Sequence, residues 1–185
     1  MTAATNADDS AGTTDRPLMW RLIDEAIAEV AQQRTFDTEA MRLVFTLRAA
    51  SGIVSHDLHQ RLRDAEAASH RGLVALLMLH VRGEIEQGDL VRHGGFSKAA
   101  ASALVDQLAG DGLVTRRGSR RDRRIVLLTL TDAGRGAFQR DFAVFNAGES
   151  AWASGLTPEE TTTLVALLQK LVEGNIGDRW DQNFA

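Results

Sequence analysis

The chain of 185 residues contains no cysteine. That excludes disulfides, thiolate metal sites and a cysteine nucleophile. It has two prolines, Pro17 and Pro158, and each stands where a helical pattern begins, a position at which the missing N–H costs nothing. No apolar run approaches the roughly 20 residues needed to span a bilayer, so no membrane partner is expected. The opening segment MTAATNADDSAGTTDRP lacks the basic start and apolar stretch of a signal peptide. Its small and polar residues predict a disordered tail over 1–16, and a cytoplasmic location follows. An overall excess of positive charge is missing too, since the formal net charge is -4. What remains, 44% hydrophobic and 25% charged residues, suffices for one sizeable core or a small domain with appended helices.

The positive charge that exists is gathered in one place. Between Gln87 and Arg124 eight basic residues face four acids, a local +4 that leaves -8 for the remainder. Most of it lies in RRGSRRDRR, residues 116–124, with six arginines and one aspartate. Like charges repel, so such a tract is either a solvated loop or a surface for a polyanion. A basic patch on an acidic body is the electrostatic footprint of a nucleic-acid binder.

The surrounding pattern favours the second reading. Pro17 to Gln33 carries Leu18, Leu22, Ile23, Ala26, Ile27 and Val30 at helical spacing. A long helix is predicted from about Asp37 to Ala67, apolar on two sides through Met41, Val44 and Phe45 and through Leu43 and Leu47. That pattern suits a helix wedged between two bodies. His70 to Arg82 is nearly all apolar and should be the central core helix. Next come a short helix, broken by Gly94-Gly95, and a second helix capped by Ser97 and ended by Gly112. Leu113-Val114-Thr115 and Ile125 to Thr131 read as two strands with the arginine tract between them, and Ile85 could add a third. Thr131 caps a helix running to about Asn146, with Phe138, Phe142 and Phe145 on one side. Thr157-Pro158-Glu159-Glu160 opens a last helix bearing Leu164, Val165, Leu167, Leu168, Leu171 and Val172.

The predicted fold is therefore mainly α with a small β wing: a winged helix-turn-helix with N- and C-terminal dimerisation helices. Its expected segments are 1–16 (tail), 17–67 (N-terminal helices), 68–131 (winged helix-turn-helix) and 132–185 (C-terminal helices). Phe96, Ala101, Leu104, Val105 and Leu108 face inward in this reading. The outward face of the second helix shows Ser97, Lys98, Ala99, Ala100, Ser102 and Ala103. Small side chains let a helix sit deep in the major groove, where serines donate to phosphates or base edges and alanine methyls meet thymine methyls. Lys98 reaches a phosphate or guanine. In the wing, Arg116, Arg117, Arg120, Arg121, Arg123 and Arg124 neutralise phosphates or enter a narrow minor groove, and Asp122 braces a neighbouring arginine.

DGLVTRRGSRRDRRIVLLTLTDAG resembles the winged-helix signature of the MarR (multiple antibiotic resistance regulator) family. The matching residues are Gly112-Leu113-Val114, Asp122-Arg123-Arg124, and Leu130-Thr131 with Gly134. The close match covers about Asp89 to Phe138. Gly94 stands where that family usually has an apolar residue, and the N-terminal helix from Pro17 is additional. The resemblance implies a homodimeric transcription regulator, most often a repressor, on a pseudo-palindromic operator of double-stranded DNA. It implies recognition by the helix at Ser97, Arg124 as the minor-groove arginine, and a small-molecule effector pocket between the dimer helices and the DNA-binding lobe. Phe45 and Met78, with Arg48 and His56, could line such a pocket for an anionic aromatic effector; plain packing is the simpler account of them.

His56 and His59 stand three apart on a helix, a spacing that can place two imidazoles on one metal. They allow a metal-responsive regulator or a metal-dependent hydrolase, but no third ligand at suitable spacing and no nucleophile motif accompany them. The reading is accordingly a non-enzyme with no cofactor. A winged-helix interaction protein that has lost DNA binding is the other alternative, permitted by the thin recognition face.

Overall fold

The computed structural model describes residues 17–31, 36–119, 122 and 125–176. The expected tail and Arg120, Arg121, Arg123 and Arg124 lie outside the described residues. The chain divides into two compact units, Met1–His56 and Asp57–Ala185.

The first unit holds helix α1 (Leu18–Ala31) and helix α2 (Thr38–Asp64) as far as His56. Of the apolar stripe on α1, Ile23 and Ile27 are buried, whereas Leu18 and Leu22 are exposed. Arg42 of α2 pairs with Asp24 of α1. Leu43, Val44 and Phe45 of α2 are also exposed, so the apolar sides read from the sequence are open within this unit.

The second unit continues with helix α3 (His70–Arg82), strand β1 (Glu84–Glu86), helix α4 (Gln87–Gly94), helix α5 (Lys98–Gly110), strands β2 (Val114–Gly118) and β3 (Val126–Leu130), and helices α6 (Asp132–Ala153) and α7 (Pro158–Ile176). Its core forms around α3, whose apolar run leaves Leu73, Leu76 and Leu79 buried against Leu62, Ile85, Leu90, Leu128 and Phe138. Removing one such leucine side chain from water is worth roughly 1.5–3 kcal/mol. Ser69 caps α3 by accepting from the Gly72 N–H at 3.2 Å. A carboxylate from α6 reinforces that end: buried Asp141 accepts from the Ala68 N–H at 2.9 Å.

The three strands pair antiparallel in the order β1-β3-β2. Alternation sets the two faces. Ile85, Leu128, Val114 and Leu130 are buried on the inner face, and Glu84, Thr129 and Thr115 share a register row on the outer one. Thr131 then starts α6. Its hydroxyl accepts from Gly134 N–H at 2.9 Å and donates to Gly112 O at 2.7 Å, which fastens the helix to the root of β2. Helix α6 runs to Ala153, beyond the Asn146 expected from the sequence. The reciprocal cap of α7 forms as its four-residue signature predicts, with Thr157 N–H donating to Glu160 at 2.8 Å and Glu160 N–H to Thr157 at 3.2 Å. Leu164, Val165, Leu167, Leu168 and Val172 of α7 are exposed. Among the described residues no helix is long and apolar enough to cross a membrane.

Candidate nucleic-acid interface

Two helices and a hairpin build the site. Gly95 ends α4 with φ 69° and ψ 27°, the left-handed conformation that a side chain disfavours. The turn puts Phe96 into the core, and a Cβ on Gly94 would run into the Phe96 ring and within 3.3 Å of Met78 Sδ. The aromatic ring thus occupies the space a side chain at 94 would need, which accounts for glycine there. Ser97 caps α5 by accepting from Ala100 N–H at 3.2 Å. At the far end Leu113 N–H reaches Leu108 O at 2.9 Å and Gly112 N–H reaches Ala109 O at 3.1 Å, with Gly112 at φ 71°. Those two bonds form a Schellman stop.

Between these caps α5 presents two faces. Ala101, Leu104, Val105 and Leu108 are buried, as the sequence predicts. Ser97, Lys98, Ala99, Ser102 and Ala103 are exposed and Ala100 is half-buried. The exposed stripe continues to Asp106 and Gln107. Sequence reasoning left both out, although they follow Ala103 at the helical spacings of three and four residues.

Strand β2 carries Arg116 and Arg117 on opposite faces of the sheet. Arg116 pairs with Asp106 of α5. Arg117 reaches across β3 to Glu84, its Nη2 lying 2.7 Å and 3.0 Å from the two carboxylate oxygens and its Nε 3.0 Å from one of them. At the end of the stalk Ser119 N–H donates to Ile125 O at 2.9 Å and Ile125 N–H to Asp122 O at 3.0 Å. Arg92 of α4, part of the same basic region, is held by Asp89 at 2.5 Å and Glu86 at 3.3 Å. Hydrogen bonds to Asp89 and then Glu86 push its guanidinium pKa further up. Lys98 has no carboxylate partner among the described residues. The local positive charge is therefore partly answered by acids of β1, α4 and α5.

The residues suggested for an effector fall in different places. Phe45, Arg48 and His56 are exposed on the first unit's part of α2. Met78 is half-buried on α3 and lines a cavity of about 210 Å³ with Leu77, Val81, Ile85 and His93. A larger cavity of about 360 Å³ opens where α2 meets α3 and is lined by His59, Arg63, His70 and Arg71. The His59 and His70 rings lie 4.8 Å apart, and His70 lies 5.4 Å from Phe145. Burial, and secondarily the charge of His59, hold the His70 pKa below the ordinary histidine value. This cluster joins three helices, so no sequence spacing announced it. His56 is exposed beside it in sequence, and among the described residues no group of three or more histidine or carboxylate side chains is placed to hold a metal ion.

A family model described as the MarR family matches residues 69–126. Over 95 residues the chain is 30% identical to an uncharacterized HTH-type transcriptional regulator of Bacillus subtilis, YwaE, which covers 51% of this chain and 56% of that protein. Over 71 residues it is 37% identical to the HTH-type transcriptional regulator BilQ of Clostridium symbiosum, covering 38% and 49% respectively. The chain thus spans about half the length of these curated relatives. A mutant MarR from E. coli, solved in complex with operator DNA, shares the fold with a TM-score of 0.61 at 20% identity, over 69% of this chain and 94% of that one.

Proposed function

From the match of residues 69–126 to the MarR family model, we propose that the protein is a cytoplasmic, homodimeric transcription regulator, a repressor on a pseudo-palindromic operator. One observation carries the reading: the serine-capped, short-side-chain face of α5 stands beside the hairpin whose tip sequence holds the arginine tract. Ser97, Lys98, Ala99, Ala100, Ser102 and Ala103 read the major groove in this account. Lys98, Arg120, Arg121, Arg123 and Arg124 supply phosphate or minor-groove contacts. Two such helices in a dimer enter successive major grooves roughly 34–36 Å apart. The exposed apolar side chains of α7 supply the dimer contact, because exposed apolar patches of this kind mark association surfaces.

An effector acts by binding one lobe arrangement better than the other and so shifting the population. The cavity at His59, Arg63, His70 and Arg71 supports a small anionic ligand, since it sets the side chains of Arg63 and Arg71 beside the apolar Leu62 and Ala67.

The pairing of Arg92, Arg116 and Arg117 with acids favours one rival, a winged-helix interaction protein that no longer binds DNA. A mobility-shift series with a random-sequence 30-base-pair duplex separates the two. Phosphate-led binding weakens steeply as salt rises, by about 0.9 in log–log slope per phosphate neutralised. Binding that is absent or insensitive to salt overturns the proposal.

A further inference from the structure

Arg116 and Arg117 are neighbours on one strand, so their side chains leave opposite faces of the sheet. Arg117 shares the outer face with Thr115 and Glu84, on the side turned away from the core. Arg116 shares the inner face with buried Val114 and ends on Asp106. The two acids are placed differently. Glu84 sits on the opposite edge strand, whereas Asp106 belongs to α5 itself, about one turn beyond Ala103 on the exposed stripe that also holds Ala99 and Ser102. Its side chain is 61% exposed and that of Arg116 is 43% exposed. A carboxylate on that surface lies within a Debye length, roughly 8–10 Å, of any duplex docked there and repels its phosphates. Helix packing does not require it, because the buried positions of α5 are all apolar.

We propose that Asp106 is a specificity-determining residue for DNA binding, an inference that rests on the function proposed above. Asp106 retains Arg116 as its counter-ion and withholds one phosphate-neutralising cation from duplex of any sequence. Non-specific affinity comes almost wholly from such cations. Specificity is a difference between two affinities, so it rises when the sequence-independent one is lowered. For a recognition face made of serines and alanines, which offers few strong base contacts, that subtraction matters more than it would for an arginine-rich helix. The Asp106–Arg116 pair also links α5 to the wing stalk.

The test is a double-mutant cycle on a random-sequence 30-base-pair duplex, with affinity measured across a salt series for wild type, Asp106→Asn, Arg116→Gln and the double variant. Asp106→Asn should steepen the log–log slope by about 0.9 and raise affinity about fivefold at 0.15 M salt, the effect of one added phosphate contact. Arg116→Gln alone adds no phosphate contact and leaves Asp106 unpaired, so affinity should fall with no steepening of the slope, and in that background Asp106→Asn should recover affinity without the added slope of about 0.9. Asp106→Glu, which keeps the charge and the pair, should restore the wild-type slope, an outcome that a purely steric role would not give. Arg116→Gln lowering the slope by about 0.9 overturns the proposal, because Arg116 would then already sit on a phosphate. So does steepening by Asp106→Asn that persists in the Arg116→Gln background. Wild-type protein with no salt-dependent binding overturns the proposed function itself, a result distinct from either of these.

Discussion

Two glycines two residues apart on α6 should respond to the same substitution with opposite sign. Gly134 lies in the first turn, against the root of β2. A Cβ there would overlap the carbonyl oxygen of Leu113, lie 2.9 Å from its carbonyl carbon and 3.2 Å from Leu130 Cδ2. The carbonyl cannot retreat easily, because Leu113 O also accepts from Thr131 N–H at 3.0 Å. Overpacking of this kind costs about 1–3 kcal/mol and more where backbone is struck. The better helix propensity of alanine returns at most about 1 kcal/mol, and less in a first turn. A net loss of about 2 kcal/mol is expected for Gly134→Ala, which in a chain of this size lowers Tm by roughly 4–8 °C. Gly136 is the internal control, since its added Cβ meets only Arg140 Nη1 at 3.8 Å. Gly136→Ala should therefore gain up to about 1 kcal/mol, raising Tm by roughly 2–4 °C. Calorimetry at one fixed protein concentration compares them, because the dimer proposed above would make Tm concentration-dependent. If both substitutions stabilise, the close approach of α6 to the wing root is wrong.

Asp141→Ala leaves the Ala68 N–H without its acceptor and should cost about 1–3 kcal/mol in urea unfolding, while Asp141→Asn, which keeps an acceptor oxygen, should cost less; equal losses would deny the hydrogen bond its role. The fold lowers the His70 pKa, chiefly by burial and secondarily through His59, so its unfolded form binds the proton more readily. Stability is full above the unfolded value of about 6.5 and should decline as pH falls below it. His70→Phe should flatten that decline, and an unchanged pH profile would exclude the His59–His70 cluster as its source. Ser97→Ala removes the α5 cap and should cost about 1 kcal/mol, read as a lower urea midpoint.

Local chemistry explains why so much of the fold could be read beforehand. Ser97, Gly112, Thr131 and the Thr157-Pro158-Glu159-Glu160 signature each satisfy backbone groups within a few residues of themselves, so their meaning does not depend on distant chain. The inner and outer faces of α5 followed for a similar reason, since one period of 3.6 residues decides them. The end of α6 was different. Gly148 and the small residues around it look like a helix terminus, yet a Cβ at 148 would come within 2.6 Å of Leu58 and 2.8 Å of Arg61. Glycine is required there by a neighbouring helix, and the helix runs on past it to Ala153. The acids that answer the basic region were hidden in the same way. Asp106 and Arg116 lie ten residues apart across a helix end and a strand, and Glu84 meets Arg117 only because the chain order of the strands differs from their order in the sheet. The rings of His59, His70 and Phe145 come together from three helices for which no periodicity exists.

The absence of cysteine permits the most direct test of where duplex DNA sits. Single cysteines introduced as Ala99→Cys and Ala103→Cys on the exposed face of α5, and as Glu159→Cys at the start of α7, would each be the sole thiol in the molecule. Their rates of modification by a maleimide are then compared with and without a saturating random-sequence duplex at low salt. The account predicts that duplex slows modification at 99 and 103 and leaves 159 unchanged. Unaltered rates at 99 and 103 under conditions where a mobility shift shows full binding would contradict it.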